Sequence, residues 1–148
     1  MNKKTIIYCI LGAVLLVVFL SVITYHQSKD KDNKFHATPL APVEKLISTL
    51  YFKQGTYSDY KTLFSNKNNV ISEKEFKSYQ FMGQPNVIFP VDNDSVANVM
   101  KHMKQQQIDP NTVKVFWSKD LNGSVNSLEE ATATWVMIKQ NGKWYIGN

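Results

Sequence analysis

The sequence predicts an α+β protein, in which one N-terminal transmembrane helix is followed by a domain of helices packed on a curved antiparallel sheet. Three observations carry this. From Thr5 to Tyr25 the chain runs TIIYCILGAVLLVVFLSVITY without a charge, close to the ~20 apolar residues a helix needs to cross a bilayer. Between residues 42 and 103 apolar side chains recur three and four apart, the period of helices with one buried face. From Val113 onward they alternate or flank turn residues, which is the pattern of strands.

Inside lipid a backbone must satisfy its own hydrogen bonds, so residues 5–25 can span only as a helix. A cleaved secretory signal fits less well, because the apolar run is long and its exit, Val22-Ile23-Thr24-Tyr25-His26, carries no small-residue cleavage pattern. Cys9 lies within the run and leaves no room for a lipoprotein signal before it. A short head, residues 1–4, ahead of one long apolar segment reads as a signal anchor in the cell membrane. The head would be a cytoplasmic tip and the C-terminal domain extracytoplasmic.

The formal net charge is +5, but it is unevenly placed. Residues 1–34 carry five lysines against two aspartates, whereas residues 40–148 carry twelve lysines against ten acids. Every basic residue is lysine, so the forked arginine contacts typical of base and phosphate recognition are absent, and no nucleic-acid partner is expected. The abundance of Lys, Asn, Ile and Tyr without Arg fits an AT-rich bacterial genome. A lone cysteine cannot staple the domain, which must hold by packing. Neither zinc spacing, a glycine-rich phosphate loop nor a G-x-S-x-G elbow occurs, so no metal, no cofactor and no catalytic residues are expected.

Residues 26–41, HQSKDKDNKFHATPLA, are polar and read as a flexible linker, with His26 and His36 as solvated members. The domain proper, 42–148, opens on a helix whose Val43, Leu46, Ile47 and Leu50 share one face, with Pro42 in its first turn and Gly55 at its end. A short helix over SDYKTLFS presents Tyr60, Leu63 and Phe64. Ser72 and Glu75 form a capping box, and Ile71 with Phe76 a hydrophobic staple, at the start of a helix that ends near Gly83. Asn86 to Val91 reads as an edge or irregular strand. Caps among Asp92 to Ser95 then open a helix with Val96, Val99, Met100 and Met103 inward and His102, a half-exposed structural histidine, on its flank.

Val113 to Ser118 is a strand, and Asn122-Gly123 a turn candidate. Ala131 to Lys139 and Lys143 to Ile146 flank Asn141-Gly142, a strong signal for a two-residue type I′ hairpin. That turn sets Lys139 opposite Trp144, Ile138 opposite Tyr145 and Met137 opposite Ile146. One face then carries Ala133, Trp135, Met137, Trp144 and Ile146, and the other Thr134, Val136, Ile138 and Tyr145. Neither face is plainly polar. Either the outer side carries scattered β-formers, or a partner or second copy covers it.

The helix ending in Gly55, the segment Tyr60-Lys61-Thr62-Leu63-Phe64 and the closing Trp135 to Ile146 stretch with its Asn141-Gly142-Lys143-Trp144 turn resemble the nuclear transport factor 2-like (NTF2-like) superfamily, in its membrane-anchored bacterial form. The resemblance implies a cone of helices against a bent sheet. It also implies an interaction or spacer module, as in the scaffold component of secretion and conjugation channels or the N-terminal extension of certain penicillin-binding proteins. The expected function is therefore a single-pass, membrane-anchored, non-catalytic interaction or scaffold domain in an envelope assembly, not an enzyme. Its partners would be the bilayer, through residues 5–25, and a protein or a second copy. The alternative is a cone that holds a small ligand, or less readily an enzyme, with Trp117, Trp135, Trp144 and Tyr145 as candidate ligand- or partner-binding residues. Glu129 and Glu130 read as a solvated edge.

Overall fold

The computed structural model describes residues 33–122 and 131–147 continuously, and before them positions 17, 20, 21, 23–25 and 30. The chain divides into two compact units, Met1–Lys34 and Phe35–Asn148. In the first, the described residues are helical and exposed, and the Thr24 hydroxyl donates back to the Leu20 and Ser21 carbonyls at 3.1 and 2.9 Å. Here the expected fold class is corrected. The segment expected to span, 5–25, falls mostly outside the described residues, and among the described residues no helix is long and apolar enough to cross a membrane. The longest described helix with stated bounds, Leu40–Leu50, has 11 residues, about half the ~20 a span requires. Cys9, Gly123, Glu129 and Glu130 also lie outside the described residues.

The second unit is α+β: α1 (Leu40–Leu50), α2 (Tyr57–Thr62), a 3-10 turn (Lys67–Asn69), α3 (Glu73–Met82), α4 (Pro85–Ile88) and α5 (Val96–Lys101), then β1 (Met103–Asp109), β2 (Thr112–Trp117), β3 (Ala133–Gln140) and β4 (Lys143–Ile146). The four strands form one antiparallel meander in sequence order. Val43, Leu46 and Ile47 of α1 are buried as their spacing requires, against Val115, Trp117, Met137 and Ile146 from the sheet and Tyr60, Leu63 and Phe76 from α2, its exit and α3. Burial pushes the Tyr60 phenol above its ordinary value.

Side-chain caps place the helix starts. The Ser72 hydroxyl accepts from the Glu75 N–H, and the Glu75 carboxylate accepts from the Ser72 N–H at 2.8 Å. The Ser72 hydroxyl also donates to that carboxylate at 2.7 Å, and this bond first, then the one from the Ser72 N–H, holds the Glu75 carboxyl below its ordinary value. Thr56 and Asp59 repeat the device on α2, and Ser95 caps α5. The strand expected over Asn86 to Val91 is instead the single turn α4, with Pro85 in its first turn, where a missing N–H costs nothing. Its exit drives Phe89, fully buried, between Tyr51 at 5.4 Å and Trp117 at 5.8 Å. The helix expected to reach Met103 stops at Lys101, and Met103 begins β1.

The closing hairpin has the expected register, Met137 with Ile146, Ile138 with Tyr145 and Lys139 with Trp144. Asn141 and Gly142 carry φ of 51° and 78°, as a type I′ turn demands. A Cβ on Gly142 would meet nothing within 4 Å, so its cost would be conformational alone. Gly142→Ala is expected to lower stability by about 1 kcal/mol and Gly142→Asn by less, read from thermal unfolding midpoints.

Both edges of the sheet are managed, by different means. Along β4 the Trp144 N–H donates to the His36 carbonyl (3.0 Å), the Ile146 N–H to the Leu63 carbonyl (2.8 Å), and the Ser65 N–H to the Ile146 carbonyl (3.0 Å). His36 is thus no linker residue. It is buried, with Nδ1–H donating to the Trp144 carbonyl at 2.5 Å and its ring 4.2 Å from that of Tyr145. The compact unit accordingly begins at Phe35, ahead of the boundary expected at 42. On the far side β1 is polar past Met103 and bulged between Gln107 and Asp109, features that discourage further strand pairing.

Candidate interaction surface

The four aromatic residues singled out in the sequence do not converge. Trp117 is fully buried in the core, 5.1 Å from His102 and 5.8 Å from Phe89. Trp135 is half-buried on the same sheet face. Trp144 lies toward the turn end of the hairpin, with the Lys139 ammonium 5.6 Å from its ring centre. Tyr145 points to the opposite face, against His36. That opposite face is covered in part by the chain itself. Val136, Ile138 and Tyr145 are half-buried, and Phe116, paired with Thr134, is fully buried.

His102 is buried, not half-exposed, because the end of α5 turns it under the sheet beside Trp117. Its Nδ1 lies 2.9 Å from the Ser118 carbonyl, which can only accept, so Nδ1 carries a proton and donates it. Its Nε2 lies 2.9 Å from the Asp92 carboxylate. Asp92 holds that position with a left-handed φ of 47°. A general base needs one ring nitrogen open toward a substrate, whereas here both face protein oxygens. The pair ties α5 to the end of β2. No group of three or more potential metal ligands occurs among the described residues.

What stands out on the surface is apolar. Tyr79 is 54% exposed, Phe81 83%, Met82 64% and Val87 72%, all within one stretch running from α3 into α4. The docking of α3 explains it. The helix buries Phe76 and half-buries Gln80, whose amide donates to the Thr49 carbonyl at 2.8 Å. Gly83 lets the end of α3 approach α1: a Cβ there would lie 2.6 Å from the Tyr79 carbonyl oxygen and 3.2 Å from that of Leu50. With the inner side fixed by Phe76, Gln80 and Gly83, the side chains of Phe81 and Met82 are left outward. Single exposed apolar residues are ordinary, but here four large ones fall between positions 79 and 87, and clusters of exposed apolar residues mark contact sites.

In the sequence this corner is only faintly marked. The available signal was that Phe81 and Met82 lie off the helical face defined by Phe76. No protein-family model matches the chain, and neither a curated protein nor a solved structure does so.

Proposed function

We propose that the body from Phe35 to Asn148 is a non-catalytic protein-interaction domain that contacts its partner through the corner around Phe81. The observation that carries this is the exposure of Tyr79, Phe81, Met82 and Val87 side by side in sequence on a folded body. Two further points support it. The best-placed imidazole, His102, has both nitrogens engaged within the protein. The similarity of the closing hairpin to the NTF2-like superfamily also favours an interaction or spacer role, which is how the members named above use that layout. Aromatic side chains that become fully covered dominate contact energies, and the loss of one weakens association by about thirty-fold or more.

The test uses the full chain, in vivo crosslinking and sedimentation velocity. Wild type is expected to associate, with itself or with a partner, and Phe81→Ser combined with Val87→Ser is expected to abolish that association while the thermal midpoint stays within a few degrees. Association that survives in the double variant would overturn the proposal.

A further inference from the structure

A second surface feature involves α2. Between α2 and the 3-10 turn the body opens into a groove of about 680 Å3 whose inner side is formed by Tyr57, Phe64 and Val70 and whose rim carries Ser58, Lys61 and Lys67. This volume lies within the ~300–1,000 Å3 typical of small-molecule sites. The inner residues are half-buried and the rim residues exposed.

The walls are held from behind. The Tyr57 hydroxyl donates to the Ile71 carbonyl at 2.8 Å, and its ring packs on Phe76 at 5.4 Å. Phe64 meets Tyr60 at 4.9 Å, and its backbone is bridged to Ile146. The Asn69 amide, beside Val70, donates to the Gly147 carbonyl at 2.6 Å. A ligand entering here would therefore spend little on ordering its site.

The charge at the rim has one sign. No carboxylate lines the groove. The acids of the flanking helices have partners outside the groove, Asp59 the Thr56 N–H and Lys45 at 3.6 Å, Glu73 chiefly Lys77 at 2.9 Å with a weaker attraction to Lys61, and Glu75 Ser72. Lys61 stands over the Tyr57 ring at 5.0 Å, and neither it nor Lys67 forms an ion pair with a described carboxylate. Two ammonium groups above an aromatic and aliphatic floor match a molecule with an anionic head and an apolar body.

We propose that this groove binds a small organic acid, its apolar body on Tyr57, Phe64 and Val70 and its anionic head at Lys61 and Lys67. The site is separate from the corner around Phe81, and neither proposal depends on the other.

The full chain, labelled with 15N, is titrated with 4-phenylbutyrate, which has both parts. Inorganic phosphate (head only) and 4-phenyl-1-butanol (body only) are titrated in parallel. Phenylbutyrate is expected to shift the amide signals of residues 57–70 saturably, in the millimolar range usual for so small a ligand. Each partial probe should bind about ten-fold more weakly, as should phenylbutyrate to Lys61→Ala combined with Lys67→Ala. These lysines are exposed, so the rest of the spectrum should be unchanged, which confirms the fold; Lys61→Glu with Lys67→Glu should remove the shifts altogether. The proposal is overturned if phenylbutyrate produces no saturable shift, if the alcohol binds as tightly as the acid, if the lysine variants bind normally, or if the shifts fall on residues 79–87 instead.

Discussion

Trp117→Ala is expected to lower the stability of the body by about 4 kcal/mol, a large share of the ~5–15 kcal/mol available to a domain of this size. The indole is wholly buried where the end of β2 meets Phe89 and His102, so truncation leaves a cavity bounded by an aromatic ring, an imidazole and the sheet. Those walls belong to separate elements and cannot all close on it. Trp117→Phe is expected to cost far less, about 1 kcal/mol. It keeps most of the packing and removes a buried indole N–H that has no hydrogen-bond partner among the described residues. Trp135→Ala, at a half-buried position, should fall between the two. Urea unfolding of the three variants gives the ranking. Equal losses at Trp117 and Trp135 would mean that the core has been misplaced.

His102→Ala is expected to cost about 3 kcal/mol and to lower the thermal midpoint by roughly 12 °C. The substitution removes the donor to the buried Ser118 carbonyl, the partner of the Asp92 carboxylate and the ring against Trp117. Asp92→Gly provides the contrast. It loses the same carboxylate contact but relieves a non-glycine residue of a left-handed backbone, so its net effect should stay within about 1 kcal/mol. If the two variants proved equally damaging, the energy would reside in the Asp92 contact and not in the buried ring. Calorimetry of both separates these cases.

Local chemistry explains which parts of the fold could be read in advance. The capping box at Ser72 and the Asn141-Gly142 turn are dictated by bonds and torsions within a few residues, and both formed as expected, the second with its register. The β1 strand was not legible, because Lys104-Gln105-Gln106-Gln107 lacks the alternation of a half-buried strand. It pairs on one side only, and most of its residues past Met103 stay in contact with water. The turn that follows did offer a signal in Asp109-Pro110-Asn111, where the Asn111 N–H donates to the Asp109 carboxylate at 2.8 Å. At Asn86 to Val91 the β-branched residues suggested a strand, but Pro85 opened a helical turn and the core claimed Phe89. His36 looked solvated because its neighbours are polar; its burial depends on β4, more than a hundred positions away, and no local rule reaches that far. The corner at Phe81 was hidden for the opposite reason, since apolar letters in a helix suggest an interior until the docking of that helix is known.

The sealed edge of β4 also has a consequence for how the body is made. The carbonyls of His36 and Leu63 and the N–H of Ser65 are completed only by Trp144 and Ile146, which emerge from the ribosome long after them. Until the final hairpin has been synthesised, the early helices can collapse but cannot close, so the nascent domain spends most of its translation with those backbone groups in water. Chains stalled before Lys143 should therefore remain sensitive to protease, and chains a few residues longer should become resistant in a single step.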